Sequence, residues 1–176
     1  MVQQTAVLKN GRLSTFWDGL FGGNEDSIEA KKDIEFLTRD YIDFTGLASN
    51  LSSHSKWIPY PFLIDRIKRI ADEVRAFAEL SRAKVSELGG QIPPVTNADP
   101  AIHRPGEIHP QTNYDLLGQN IKRLVHDMES HSVLCESLQH QRNLIKDRGV
   151  ADLINRIFVD MQKQEDELLD VVMKIS

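Results

Sequence analysis

Cysteine is almost missing from this chain. Cys135 stands alone among 176 residues, which excludes an internal disulfide and any zinc or iron–sulfur site built from several thiolates. Excess positive charge is also missing. With 21 Lys and Arg against 26 Asp and Glu, the formal net charge of -5 gives no electrostatic reason to expect nucleic acid as a partner. No apolar run approaches the roughly 20 residues that span a bilayer, and the N-terminus MVQQTAVLKNGRLS lacks the cationic-then-apolar build of a signal peptide. The expectation is a soluble, cytoplasmic protein with no transmembrane segment. Sustained period-two alternation is absent as well, so no sheet is expected. What remains is 40% hydrophobic and 27% charged, an ordinary globular composition, in a length that suits about one domain.

Proline is concentrated rather than scarce. Five of the seven (Pro93, Pro94, Pro100, Pro105, Pro110) fall within a loop that runs from residue 89 to residue 112, where no helix could persist. Around this loop the apolar residues recur at three- and four-residue steps. Ile34, Leu37, Tyr41, Phe44, Ala48 and Leu51 mark a first helix over about 26–52, with Asn24 as its N-cap and Glu25 and Asp26 favoured by the helix dipole. Leu63, Ile67, Ile70, Val74, Phe77, Ser81, Val85 and Leu88 mark a second, opened by Pro61 and stopped by Gly89-Gly90. Thr112 with Asp115 opens a third, whose stripe of Leu117, Ile121, Leu124, Met128, His131, Cys135, Leu138 and Ile145 carries it to Lys146. Gly149 breaks the chain, and Ile154, Ile157, Met161, Gln164, Leu168, Val172 and Ile175 mark a fourth. Short, long and short connections make two antiparallel hairpins joined by a crossover long enough to travel the length of the bundle.

The run WIPYPFLIDRIKRIADEVRAFAELSRAKVSELGGQIPPV, with IADEVRAFAEL and LGGQIPPV as its most distinctive pieces, resembles the second helix and crossover entry of bacterial ferritin-like proteins. The resemblance implies an all-α, ferritin-like four-helix bundle over 24–176, with the crossover at 89–112 and an N-terminal arm over 1–23. It also implies where a di-iron centre would lie. Members that hold one use a Glu from each of two helices and a Glu-x-x-His from each of the other two. On the second helix the matching slots carry Val74 and Phe77, and on the fourth Met161 and Gln164. Sliding each motif by one residue offers Glu73 with Ala76 and Glu165 with Leu168, again without histidine. On the first helix Tyr41 and Phe44 take the inward stripe, with Asp40 and Asp43 beside it. The resemblance therefore points to a bundle whose di-iron ligands have been replaced, with no metal and no cofactor expected.

Other chemistry-bearing residues weigh lightly. Asp127, His131 and Cys135 share one face of the third helix at four-residue steps and are ligand-capable, but the same face is the core stripe, where a buried His needs only one hydrogen bond. Cys135 has no base within its sequence neighbourhood except His131, so it is a poor candidate nucleophile. Glu136 and His140 belong to a polar, solvated stretch. His103, Glu107 and His109 sit on the Pro-rich crossover, which by itself holds no ligand geometry.

The arm is more distinctive. Phe16, Trp17, Leu20 and Phe21 crowd four large apolar side chains between Gly11 and Gly22-Gly23, in a segment too short for a bundle helix. They either fold back on the bundle or dock on a second subunit or partner, with Trp57 and Tyr60 at the first interhelical turn extending that surface. The expected function is a non-catalytic structural or interaction subunit, most simply a homodimer or part of a larger complex. The alternatives are iron handling through unusual acids such as Glu73, Asp127, Glu129 or Glu165, and a small apolar ligand lined by Phe77, Met161 and His131.

Overall fold

The computed structural model describes residues 25–92 and 113–175. Among them are four helices and no strand: α1 (Glu25–Ser55), α2 (Pro61–Glu87), α3 (Asn113–Gln141) and α4 (Arg148–Ile175). Asn24, Thr112 and the crossover prolines lie outside the described residues, as does the aromatic arm.

Each helix end has a local cause. Pro61 occupies the first turn of α2, where its missing N–H breaks no bond. At the other end Gly89 takes a φ of 79°. The Gly90 N–H donates to the Val85 carbonyl at 2.9 Å and the Gly89 N–H to that of Ser86 at 3.1 Å, the paired bonds of a Schellman stop. Gly90 is also sterically required, because a Cβ there would stand 2.9 Å from Ile34 Cγ2 and from Val85 Cγ1.

The α3–α4 junction differs from the sequence expectation. Helix α3 ends at Gln141 rather than Lys146, and Gly149 lies in the first turn of α4 rather than breaking the chain. Ile145 misled the pattern because it is buried, at 8% exposure, from a turn that follows the helix; its side chain joins the core without helical backbone. The actual start signal is Asp147, whose Oδ1 accepts from the Val150 N–H at 2.8 Å and so caps α4. Helix α1 likewise extends one residue earlier and three later than expected.

Side-chain pairs fix the topology. Asp40 meets Gln141 and His54 meets Asp127, so α1 and α3 run antiparallel. Arg66 meets Asp170 and Glu73 meets Gln164, so α2 and α4 do too. Because α1 and α2 are joined by a tight turn and are themselves antiparallel, α3 runs parallel to α2, and its start lies beside the start of α2. A shallow cleft lined by Trp57, Ile58, Ile121, Leu124 and Ile175 marks that shared end. The hydrophobic stripes of all four helices meet in one core that includes Leu37, Phe44, Ile67, Ile70, Ile157 and Leu168. Each such side chain, fully withdrawn from water, contributes roughly 1.5–3 kcal/mol. No described helix is long and apolar enough to cross a membrane.

Candidate functional site

The layer singled out by the resemblance lies in the middle of the bundle. Val74 and Met161 are completely buried, Phe77 is 8% exposed and Gln164 3%. Phe77 meets Phe44 of α1 edge to face, with ring centroids 6.0 Å apart, so aromatic packing occupies the α1–α2 side of this layer. The α3–α4 side is polar. Gln164 presents its carbonyl to His131, with Nε2···Oε1 at 3.1 Å, and its amide nitrogen donates to Glu73 Oε2 at 2.8 Å.

That orientation sets the protonation of its neighbours. A carboxylate only accepts, so Glu73 draws the NH₂ of Gln164 and leaves the carbonyl to His131. His131 must then carry its proton on Nε2. Its Nδ1 is left as an acceptor facing Cys135 Sγ at 3.8 Å. Burial holds the pKa of His131 below the ordinary imidazole range, with the Gln164 bond opposing the shift. Burial, reinforced by the charge of Glu165, pushes the Cys135 thiol up to about 12. The thiol and imidazole are both neutral at physiological pH, the reverse of an activated thiolate pair. The chain of contacts runs from Cys135 in the core to Glu73 and its surface partner Arg69.

Asp127 does not join His131 and Cys135, although all three share a helix face. It is completely buried and turns instead to His54 of α1, whose Nδ1 lies 2.5 Å from Oδ2. Desolvation raises its pKa against the lowering effect of His54, and its other oxygen, Oδ1, has no hydrogen-bond partner. Among the described residues no three His, Cys, Asp or Glu side chains converge in a metal-binding group. Glu136 and His140 are exposed on α3, and Glu129 is exposed too. His103, Glu107 and His109 lie outside the described residues, together with Phe16, Trp17, Leu20 and Phe21.

Asp40 requires a correction. Placed beside the inward stripe by sequence, it is in fact 1% exposed, while Tyr41 is only half-buried. Burial pushes its pKa up to about 7, against the lowering effect of the Gln141 bond. Gln141 Nε2 donates to Asp40 Oδ1 at 2.8 Å, and Asp40 Oδ2 and Gln141 Oε1 are both without a partner. A proton on Oδ2 could satisfy both orphaned oxygens at once, as in a carboxylic acid–amide pair. The signal was available, since Asp40 is three residues after Leu37 and four before Phe44, as regular a step as Tyr41 offers. His54 also sits three residues beyond Leu51 on the same stripe. What no helical spacing discloses is the partner on another helix.

No protein-family model matches this chain, and no curated protein matches it. Solved structures do. The bacterioferritin-related protein of Bacteroides fragilis, a dodecameric thioferritin, superposes with a TM-score of 0.60 at 19% identity, over 83% of this chain and 87% of that one. The bacterioferritin of Desulfovibrio desulfuricans, whose diiron site was followed through different catalytic states, gives 0.55 at 18% identity, over 88% of this chain and 85% of that one. At these identities the likeness is one of fold, and the fold is the ferritin-like four-helix bundle.

Proposed function

We propose that this chain is a non-catalytic, cytoplasmic structural or interaction subunit on a ferritin-like bundle, with the di-iron site replaced by core and assembly carried by the N-terminal arm and bundle faces. One observation carries the reading. The four slots of the two Glu-x-x-His motifs are buried, and they hold Val74, Phe77, Met161 and a Gln164 whose amide is engaged at both ends. Ferrous iron favours carboxylate and imidazole donors. The donors bonded to this layer, His131 and Glu73, stand on either side of Gln164 and are held by its amide, so they do not fit a two-iron centre. Unneutralised buried carboxylates would cost several kcal/mol each, which apolar replacements avoid. The Bacteroides fragilis neighbour is a dodecamer, and the present reading keeps assembly while giving up iron chemistry.

The runner-up is an iron-handling protein, as the Desulfovibrio desulfuricans neighbour with its diiron site suggests, using Glu73, Asp127 and Glu165. Elemental analysis after incubation with ferrous iron in air, scored against oligomeric mass, separates the two. Less than about a tenth of an iron per chain is expected; about two per chain would overturn the reading. Deleting residues 1–23 is expected to abolish assembly while helicity stays nearly intact.

A further inference from the structure

Exposed aromatic side chains gather at one end of the bundle. Where α1 turns into α2 and α4 finishes, Trp57 is 51% exposed, Tyr60 46%, Phe62 58% and Met173 72%. The rings of Tyr60 and Phe62 lie 6.2 Å apart. Met173 is one turn beyond Asp170, whose partner Arg66 is one turn into α2 from Phe62, so α2 and α4 bring these side chains to the same end. Several large apolar side chains exposed together at one site mark an interaction surface more often than singly scattered ones do.

The N-terminal arm enters at the opposite end, at Glu25, whereas the crossover rejoins the described residues at Asn113, beside the patch. A helix of 31 residues such as α1 is about 46 Å long. Phe21 precedes Glu25 by four residues and Phe16 by nine, so a fully stretched backbone carries them at most about 14 and 31 Å from the helix start. Phe16, Trp17, Leu20 and Phe21 therefore cannot pack together on their own chain's aromatic end. The charges also suit a meeting of the two: Asp18 is the only charged residue between Leu13 and Gly23, and Lys56 is exposed beside Trp57.

Building on the reading that the arm docks on another subunit, we propose that its receiving surface is the Trp57, Tyr60, Phe62 and Met173 patch of a second copy of this chain. Two copies lying antiparallel bring each arm to the other's patch, so the contact is reciprocal and closes as a dimer. Buried aromatic anchors at both ends supply the hot spots.

The test uses full-length variants. Trp17→Phe leaves Trp57 as the only indole of the two in the chain. Its emission should shift to the blue as concentration rises through the range in which light scattering detects assembly. Trp57→Ser with Phe62→Ser should keep the helical circular dichroism of the parent and weaken assembly at least about thirtyfold, and Phe16→Ser with Trp17→Ser should do the same. Concentration-independent Trp57 emission overturns the proposal, since it means the patch is either bare or covered within one chain. If only the arm variant loses assembly, the arm docks elsewhere: this inference fails and the proposed function stands. If only the patch variant loses it, the patch meets some other surface and the arm reading falls too. If neither changes assembly, both are wrong.

Discussion

The two seams that close the bundle treat polar groups in opposite ways. Between α2 and α4 the ion pairs of Arg66 with Asp170 and Arg69 with Glu167 lie at the surface, and the only buried polar side chains these two helices contribute, among the described residues, are the uncharged Ser81 and Gln164. Between α1 and α3 the carboxylates go inside: Asp40 is 1% exposed, Asp127 is fully buried, and each keeps one oxygen without a partner. Asp33 follows the same pattern at the α3–α4 turn, where burial raises its pKa against the bond from the Asp147 N–H. One seam thus keeps its charges in water, and the other buries carboxylates whose pKa values desolvation raises.

The sharpest way to break that contrast is His54→Ala, which leaves the Asp127 carboxylate buried with no side-chain partner. A loss of about 4 kcal/mol in urea unfolding is expected, as for other buried pairs deprived of one member.

Asp40→Asn comes next and acts in the other direction. The folded pKa of Asp40 is about 7 against an ordinary carboxyl value of 3.8, so between those values the native state binds more protons than the unfolded state and stability falls as pH rises. The penalty is absent below the unfolded value, grows through this window and is complete above pH 7. Asn donates where the protonated acid would, and it does not titrate. The variant should be more stable than the parent by roughly 3–4 kcal/mol at pH 8, converge with it near pH 4, and flatten the pH profile between. A parent profile that rises with pH across this window would contradict the assignment.

On the α2–α4 seam the effects shrink. Gln164→Leu strips His131 Nε2 of its acceptor inside the core and should cost about 2 kcal/mol at neutral pH, with the half-buried Glu73 turning to water. Arg69→Gln should cost less than about 1 kcal/mol, and less still in high salt, because its pair with Glu167 is solvent-screened. An Arg69 effect comparable with that of His54 would erase the distinction between the seams.

By itself the sequence determined the four helices and their faces, because a 3.6-residue period and local stop signals are properties of contiguous chain. Pro61, the Gly89-Gly90 stop and the stripe through Val74 and Phe77 needed no neighbour to be legible. Through the resemblance it also singled out Val74, Phe77, Met161 and Gln164, all of which the structure buries. It failed at the α3–α4 junction, where Ile145 keeps the apolar rhythm from a turn, and at Asp40, where two adjacent residues fitted the stripe equally well and the apolar one was preferred. Only the tertiary structure decided that Asp127 pairs with His54 rather than with His131, that Gln164 joins His131 to Glu73, and that Asp40 is buried against Gln141. Those choices depend on which side chain of another helix arrives opposite, tens of residues away in the chain. Helical spacing carries no information about that register; the antiparallel packing of whole helices sets it, through the burial of all four stripes at once.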